Sequence, residues 1–249
     1  MSEHIEISRD GAVQIIRMNR PEKKNAITRA MYAAMAASLG AGDADPAVRV
    51  HLMLGVPGAF SAGNDMADFM AVAMGQDGGE EVFDFLKALA CSAKPIVSAA
   101  DGIAVGIGTT IHLHCDKTFA TSRTVFRTPF VDLGIVPEAG SSLIAPALLG
   151  RQQAFALLAL GEGFSAERAK QAGLIYDIVG EDELEATALA AAQEIASKPP
   201  EALRIARDLM RGDTGPVVER IMQEGREFRA RLKSDEARQA LMAFMSRKK

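Results

Sequence analysis

Short β-prone runs alternate with helix-prone runs and glycine turns through most of the chain, and this rhythm constrains the fold more than any other feature. Residues 5–8 and 12–18 flank Asp10-Gly11, a dipeptide that tolerates positive φ and predicts a tight hairpin. Thr28 is a candidate N-cap for an Ala- and Met-rich helix over 28–39, with Gly40 as its stop. A strand over 48–54, a helix over 80–90, a strand over 95–99, a glycine turn, a helix over 108–115 and a strand over 117–120 follow. The alternation predicts an α/β fold in which helices cover sheets, and leaves a doubly wound sheet and a spiral of repeated units both open.

Beyond Val179 helix-prone segments starting at Glu181, Glu201, Val217 and Asp235 succeed one another without a strand. Pro199-Pro200 marks the change, dividing a core over 1–196 from a helical region over 197–249. Ala237, Leu241 and Phe244 fall at helical spacing beside Arg238 and Arg247. That stripe either packs on the core or meets another subunit.

With 249 residues, 48% of them hydrophobic, the chain buries a large core, which excludes disorder. Lys and Arg total 28 against 32 Asp and Glu, a net charge of −4, so no overall positive excess serves nucleic acid or an anionic membrane. No apolar run approaches the ~18–20 residues of a membrane span. Cys91 and Cys115 lack CxxC spacing and are expected to be reduced, buried thiols. The first residues show no export segment and Arg247-Lys248-Lys249 is no peroxisomal signal, so the expected location is cytoplasmic.

Several motifs fail on geometry. Gly106-Ile107-Gly108-Thr109-Thr110-Ile111 begins like a dinucleotide fingerprint, but Ile111 stands at the third glycine position. His112, His114, Cys115 and Asp116 resemble a metal cluster until placed on a helix, where residues two apart point about 200° from each other. Packed imidazoles, and no metal, are expected. Ser141 and Ser142 lack the G-x-S-x-G context of a hydrolase nucleophile.

Two glycine turns remain, over 60–65 and 102–108, each after a strand and before a helix. Unpaired backbone N–H groups at the positive end of a helix dipole can hold an anion or a developing oxyanion there; a plain strand-to-helix connection is the alternative reading. Glu138 is a carboxyl in a mostly apolar loop over 128–142, just before a helix. Apolar neighbours would raise its pKa and the helix dipole would lower it.

These three segments, in this order and spacing, resemble the crotonase (enoyl-CoA hydratase/isomerase) superfamily over essentially the whole chain. Asn19-Arg20-Pro21, Asn25-Ala26, Lys94-Pro95, Phe164-Ser165-Ala166, Ala169 and Ala172-Gly173-Leu174 are supporting matches. The resemblance implies a spiral of strand-strand-helix units, a C-terminal helical trimerisation region giving a homotrimer or dimer of trimers, and a coenzyme A thioester as substrate without a separate cofactor. It implies an oxyanion hole made by the N–H groups of Ala62 and Ile107, with Ala26, Gly63, Asn64, Asp65, Met66 and Phe130 also around the substrate.

The hydratases of this superfamily carry two glutamates, and aligning the turns puts Thr110 and Phe130 at those places. The run over 128–142, with Ser61-Ala62-Gly63-Asn64-Asp65 and the last helix, looks instead like the Δ3,Δ2-enoyl-CoA isomerase branch, in which a glutamate at the Glu138 position is the acid/base. Moving a double bond needs one proton taken from C2 and returned at C4, which a single carboxylate can do. Phe130, Leu133, Ile135 and Val136 are expected to wall out water, Lys23 and Lys24 to meet phosphates, Asp132 to be salt-bridged or solvated, and residues 71–79 to shape the acyl pocket. Hydration of a 2-enoyl thioester, or acyl-CoA binding without chemistry, are the alternatives.

Overall fold

The Asp10-Gly11 turn closes a hairpin: β1 (Ile5–Asp10) pairs antiparallel with β2 (Val13–Met18), and Gly11 takes φ +54°. The computed structural model, which describes residues 2–73 and 79–246, continues this sheet in parallel through β3 (Val50–Leu54), β5 (Ile96–Ala100), β7 (Lys117–Thr121) and β10 (Asp177–Val179), in the order β1-β2-β3-β5-β7-β10. β3 and β5 are buried along their whole length, because helix α8 (Leu184–Ser197) covers one face and the main core the other.

A second sheet has four short strands, β4 (Ala59–Ser61), β6 (Ile103–Val105), β8 (Val125–Arg127) and β9 (Phe164–Ser165), in that order. β4, β6 and β8 follow β3, β5 and β7 in the chain, and helices come next: α2 (Met66–Ala73) and α3 (Glu80–Cys91), then α4 (Ile107–Thr110), then α5 (Ser141–Leu149) and α6 (Arg151–Leu158). The repeated strand-strand-helix unit makes the fold a crotonase-type spiral rather than a doubly wound sheet. Ser165 then caps α7 (Ala166–Ala172) by accepting the Arg168 amide at 3.3 Å, and Gly173 ends it at φ +86°.

Helix α1 (Arg29–Ala44) starts at Thr28, whose hydroxyl accepts the Met31 amide at 3.3 Å. It runs through Gly40, where the sequence predicted a stop. Gly42 lies within it, where a Cβ would collide with Gln14 and His51, and the end comes at Asp45, with Lys94 Nζ on the carbonyls of Gly42 and Asp45. The helix expected over 108–115 breaks into α4 and a 3-10 turn at Ile111–His114. There both imidazoles are packed: His112 Nδ1 meets Ser98 Oγ at 2.9 Å and His114 Nε2 meets the Ala139 carbonyl at 2.8 Å. Burial lowers their pKa values to about 3 and about 4. The cysteines are unpaired; Cys91 ends α3 facing solvent, against the expectation of a buried thiol, whereas Cys115 packs against the core and burial pushes its thiol pKa up to about 12.

Helices α9 (Pro200–Arg211), α10 (Gly215–Leu232) and α11 (Asp235–Ser246) fill the C-terminal region. Ile221, Leu232, Ala237 and Leu241 join the same core as residues of 1–196. Ala237 packs its backbone against Gly134, so closely that a Cβ on the glycine would lie 2.7 Å from Ala237 Cα. Of the two readings of the 237–244 stripe, Ala237 and Leu241 follow core packing; the side chains of Phe244 and Arg247 lie outside the described residues. Among those described, no helix is long and apolar enough to cross a membrane.

Candidate active site

The site begins at a loop pinned by one side chain. Asn25, fully buried at φ +53°, donates through Nδ2 to the carbonyls of Met18, Ala59 and Phe60, each at 3.1 Å, while its Oδ1 accepts the Arg20 amide at 2.7 Å. This ties residues 20–25 to β4 and fixes the 61–65 turn. There Ile27 bridges to Asn64, donating to the Gly63 carbonyl at 2.8 Å and accepting the Asp65 amide at 2.9 Å.

That bridging settles which amides are free. The Ala62 amide donates to the Lys24 carbonyl at 2.8 Å and the Gly63 amide to Ser61 Oγ at 3.1 Å. The Asn64 amide has no acceptor among the described residues, nor does that of Ile107, the first residue of α4. The two turns pack on each other: a Cβ on Gly108 would lie 2.6 Å from the Ser61 carbonyl oxygen, and one on Gly63 2.8 Å from that of Val105. The candidate oxyanion donors are Asn64 and Ile107. The Ala62 assignment is corrected, because its amide is already bonded.

Glu138 is 7% exposed and accepts a hydrogen bond from Thr110 Oγ1 at 2.7 Å. Burial pushes its pKa up to about 8; the Thr110 bond pulls down and the charge of Glu224 pushes further up. The helix dipole does not rescue the carboxylate, because the amides of Gly140 and Ser142 at the start of α5 donate to Glu224 Oε2 and Oε1, at 2.6 and 2.9 Å. Of the two opposing effects, burial wins.

Glu138 opens into a cavity of about 100 Å³ walled by Tyr32, Phe69, Phe83, Leu86, Ile221 and Phe228, with Asn64 and Asp65 also lining it. Tyr32 donates to Asn64 Oδ1 at 2.6 Å; burial and the nearby Glu138 hold its hydroxyl well above its ordinary pKa. Asp65 is engaged by Arg20 Nη1 at 2.6 Å; burial raises its pKa, but Arg20 and the backbone amides of Ala67 and Asp68 together outweigh that and the net shift is downward. Asp68 accepts the Arg29 amide at 2.9 Å. Among the described residues no cluster of three or more His, Cys, Asp or Glu side chains is placed to hold a metal ion.

A family model described as enoyl-CoA hydratase/isomerase matches residues 8–249. The chain belongs to the enoyl-CoA hydratase/isomerase family. Enoyl-CoA delta isomerase 2 of Rattus norvegicus is 31% identical over 253 residues, a match covering 99% of this chain and 64% of that protein. The chain therefore spans less than two thirds of that relative's length. The 2,3-dehydroadipyl-CoA hydratase of Escherichia coli (strain K12) is 29% identical over 252 residues, 100% of this chain and 97% of the relative. The solved structure of Pseudomonas aeruginosa OdaA superposes with a TM-score of 0.93 at 40% identity, covering 98% of this chain and 99% of that one.

Within this family fold, the sequence-predicted residues separate. Glu138, Asn64 and Asp65 face the cavity. Ala62, Gly63 and Ile107 contribute backbone to the turns behind it, while Ala26, whose carbonyl accepts Arg20 Nη1 at 2.9 Å, and Met66, at the start of α2, do not line it. Phe130, Leu133, Ile135 and Val136 are not its wall: Phe130 and Ile135 are buried in the core and Leu133 packs against it. The wall comes from α1, α2, α3 and α10, which bring together residues remote in sequence. Asp132 forms a half-exposed ion pair with Arg127 at 3.0 Å, as anticipated. Lys23 and Lys24 are exposed. Of the stretch 71–79 expected to shape the pocket, residues 74–78 lie outside those described. Tyr32, Thr110 as a partner of Glu138, and Glu224 carried no local signal of their roles.

Proposed function

We propose that this chain isomerises a 3-enoyl-CoA thioester to the 2-enoyl-CoA, with Glu138 as the one proton carrier. The observation that carries the reading is the buried carboxyl of Glu138, joined to Thr110 and to no cation among the described residues, in an apolar cavity where Asp65 and Asp68 are already engaged. The thioester oxygen accepts from the amides of Asn64 and Ile107. Glu138 removes a proton from C2, the charge moves onto that oxygen, and the carboxyl returns the proton at C4. Each hole donor stabilises the dienolate by about 3 kcal/mol. A pKa near 8 lets one group act as base and then as acid close to neutral pH. The ring and aliphatic wall keeps water from competing for the proton.

Hydration commonly divides its work between two carboxylates, and Thr110 and Phe130 stand at the positions where the resemblance places them. Coenzyme A enters as part of the substrate, so no separate cofactor is needed. The reading is tested by supplying 3-enoyl-CoA and 2-enoyl-CoA separately. Conjugated absorbance should grow from the first and persist with the second, and Glu138→Gln should abolish the growth while acyl-CoA still binds. Loss of the 2-enoyl absorbance by hydration, or retained turnover in Glu138→Gln, would overturn it. Assembly as a homotrimer or dimer of trimers is proposed through the helical region over 197–249, where Leu209 and Met210 are each 80% exposed. Sedimentation should give a multiple of three chains, and a monomer at micromolar concentration would refute it.

A further inference from the structure

We propose that Glu224, in α10, is a positioning residue: its carboxylate clamps the turn that carries Glu138, so the helix that walls the acyl cavity also aims the reacting carboxyl. The inference rests on the reading of Glu138 as the acid/base.

Two side chains build the clamp. Glu224 is 6% exposed, and its two oxygens take the amides of Gly140 and Ser142, bonds strengthened by the carboxylate charge. Between Glu138 and those amides lies Ala139 at φ +64°, a left-handed conformation that a residue with a Cβ keeps only where its surroundings hold it. His114 Nε2 holds the Ala139 carbonyl at 2.8 Å. The Ser141 amide closes the turn locally on the Glu138 carbonyl at 3.1 Å, and Glu224 and His114 fix its placement from outside; a relaxed turn would swing Glu138 away from Thr110.

The neighbours of Glu224 on α10 face the cavity. Gly225 approaches Phe83 so closely that a Cβ there would collide with the ring, and Phe228 meets Phe69 edge-on at 5.8 Å. Wall and clamp therefore sit within about two turns of one helix. Glu224 is also a second buried carboxylate whose charge opposes ionisation of Glu138. The other charged or titratable groups facing the pair are Tyr32 from α1, His114 from the turn after α4, and Arg220 from α10, which donates to Ser142 Oγ at 3.0 Å. Arg29, Asp65, Asp68 and Arg229 stand elsewhere around the cavity.

The test is steady-state kinetics of Glu224→Gln and Glu224→Asp between about pH 5.5 and about pH 9.5, with acyl-CoA affinity measured by calorimetry and Glu138→Gln run alongside. Glu224→Gln should lower kcat about tenfold or more while affinity stays within about threefold. The acid limb of its kcat/KM profile should move to lower pH, because a negative charge beside Glu138 is gone. Glu224→Asp keeps the charge and the limb, and recovers part of kcat.

Wild-type kcat and an unmoved limb in Glu224→Gln would overturn the proposal. So would equal losses of kcat and affinity without a pH shift, the mark of a merely structural role. Should Glu224→Gln fail to fold, Glu224→Asp decides: reduced kcat at unchanged affinity supports the clamp, and wild-type kcat with the retracted carboxylate defeats it. Turnover surviving in Glu138→Gln brings down the Glu138 reading and this inference together. Turnover lost there, beside a normal Glu224→Gln, brings down this inference alone.

Discussion

Glu138→Gln should make the protein more stable at alkaline pH while it removes activity. The ordinary pKa of the side chain is 4.5 and burial lifts it to about 8 in the folded chain. Between those values the folded state holds a proton that the unfolded state has released, so stability falls as pH rises through that window. At about 1.4 kcal/mol per pKa unit, the ionised carboxylate costs about 5 kcal/mol once the pH exceeds 8, an upper figure set against a typical total of about 5–15 kcal/mol. Glutamine has the same shape, still accepts from Thr110, and does not ionise. Urea denaturation of both proteins at about pH 5, 7 and 9 measures the difference. The two should nearly coincide at the acid end, with the variant ahead by a few kcal/mol at the alkaline end. Parallel curves, or a variant weaker at the alkaline end, would show that burial does not dominate at this carboxyl.

Two further substitutions probe the surroundings. Thr110→Val keeps the volume but removes the bond that holds the Glu138 charge, so the acid limb of kcat/KM should move to higher pH and turnover near pH 7 should fall about tenfold; a pH–rate series that superimposes on the parent would contradict this. Asn25→Ala strips three carbonyls of their shared donor and should cost about 3 kcal/mol or more in urea unfolding, with activity falling as the 61–65 turn loosens. A change below about 1 kcal/mol would mean that water replaces the amide there.

The sequence reached far where the physics is local. Asp10-Gly11 dictated a hairpin because few dipeptides accept its backbone angles, Thr28 dictated a helix start because its hydroxyl serves an amide three residues on, and the mostly apolar runs at 50–54 and 96–100, broken by His51 and Ser98, read as strands. β4, β6, β8 and β9 have only two or three residues each, too short for a period to show, so residue-level patterning missed the second sheet and only the family resemblance implied it.

The sequence by itself determined the alternation of elements, the two glycine turns and the presence of Glu138, since these depend on neighbours a few positions apart. Tertiary structure alone decided the chemistry available to them. The Ala62 amide is consumed by a carbonyl 38 residues earlier in the chain and the Asn64 amide is left free. The start of α5 is neutralised by a glutamate on α10, which leaves burial to govern Glu138. Hydrogen-bond partners and solvent exclusion are properties of the assembled fold, and no spacing along the chain encodes them.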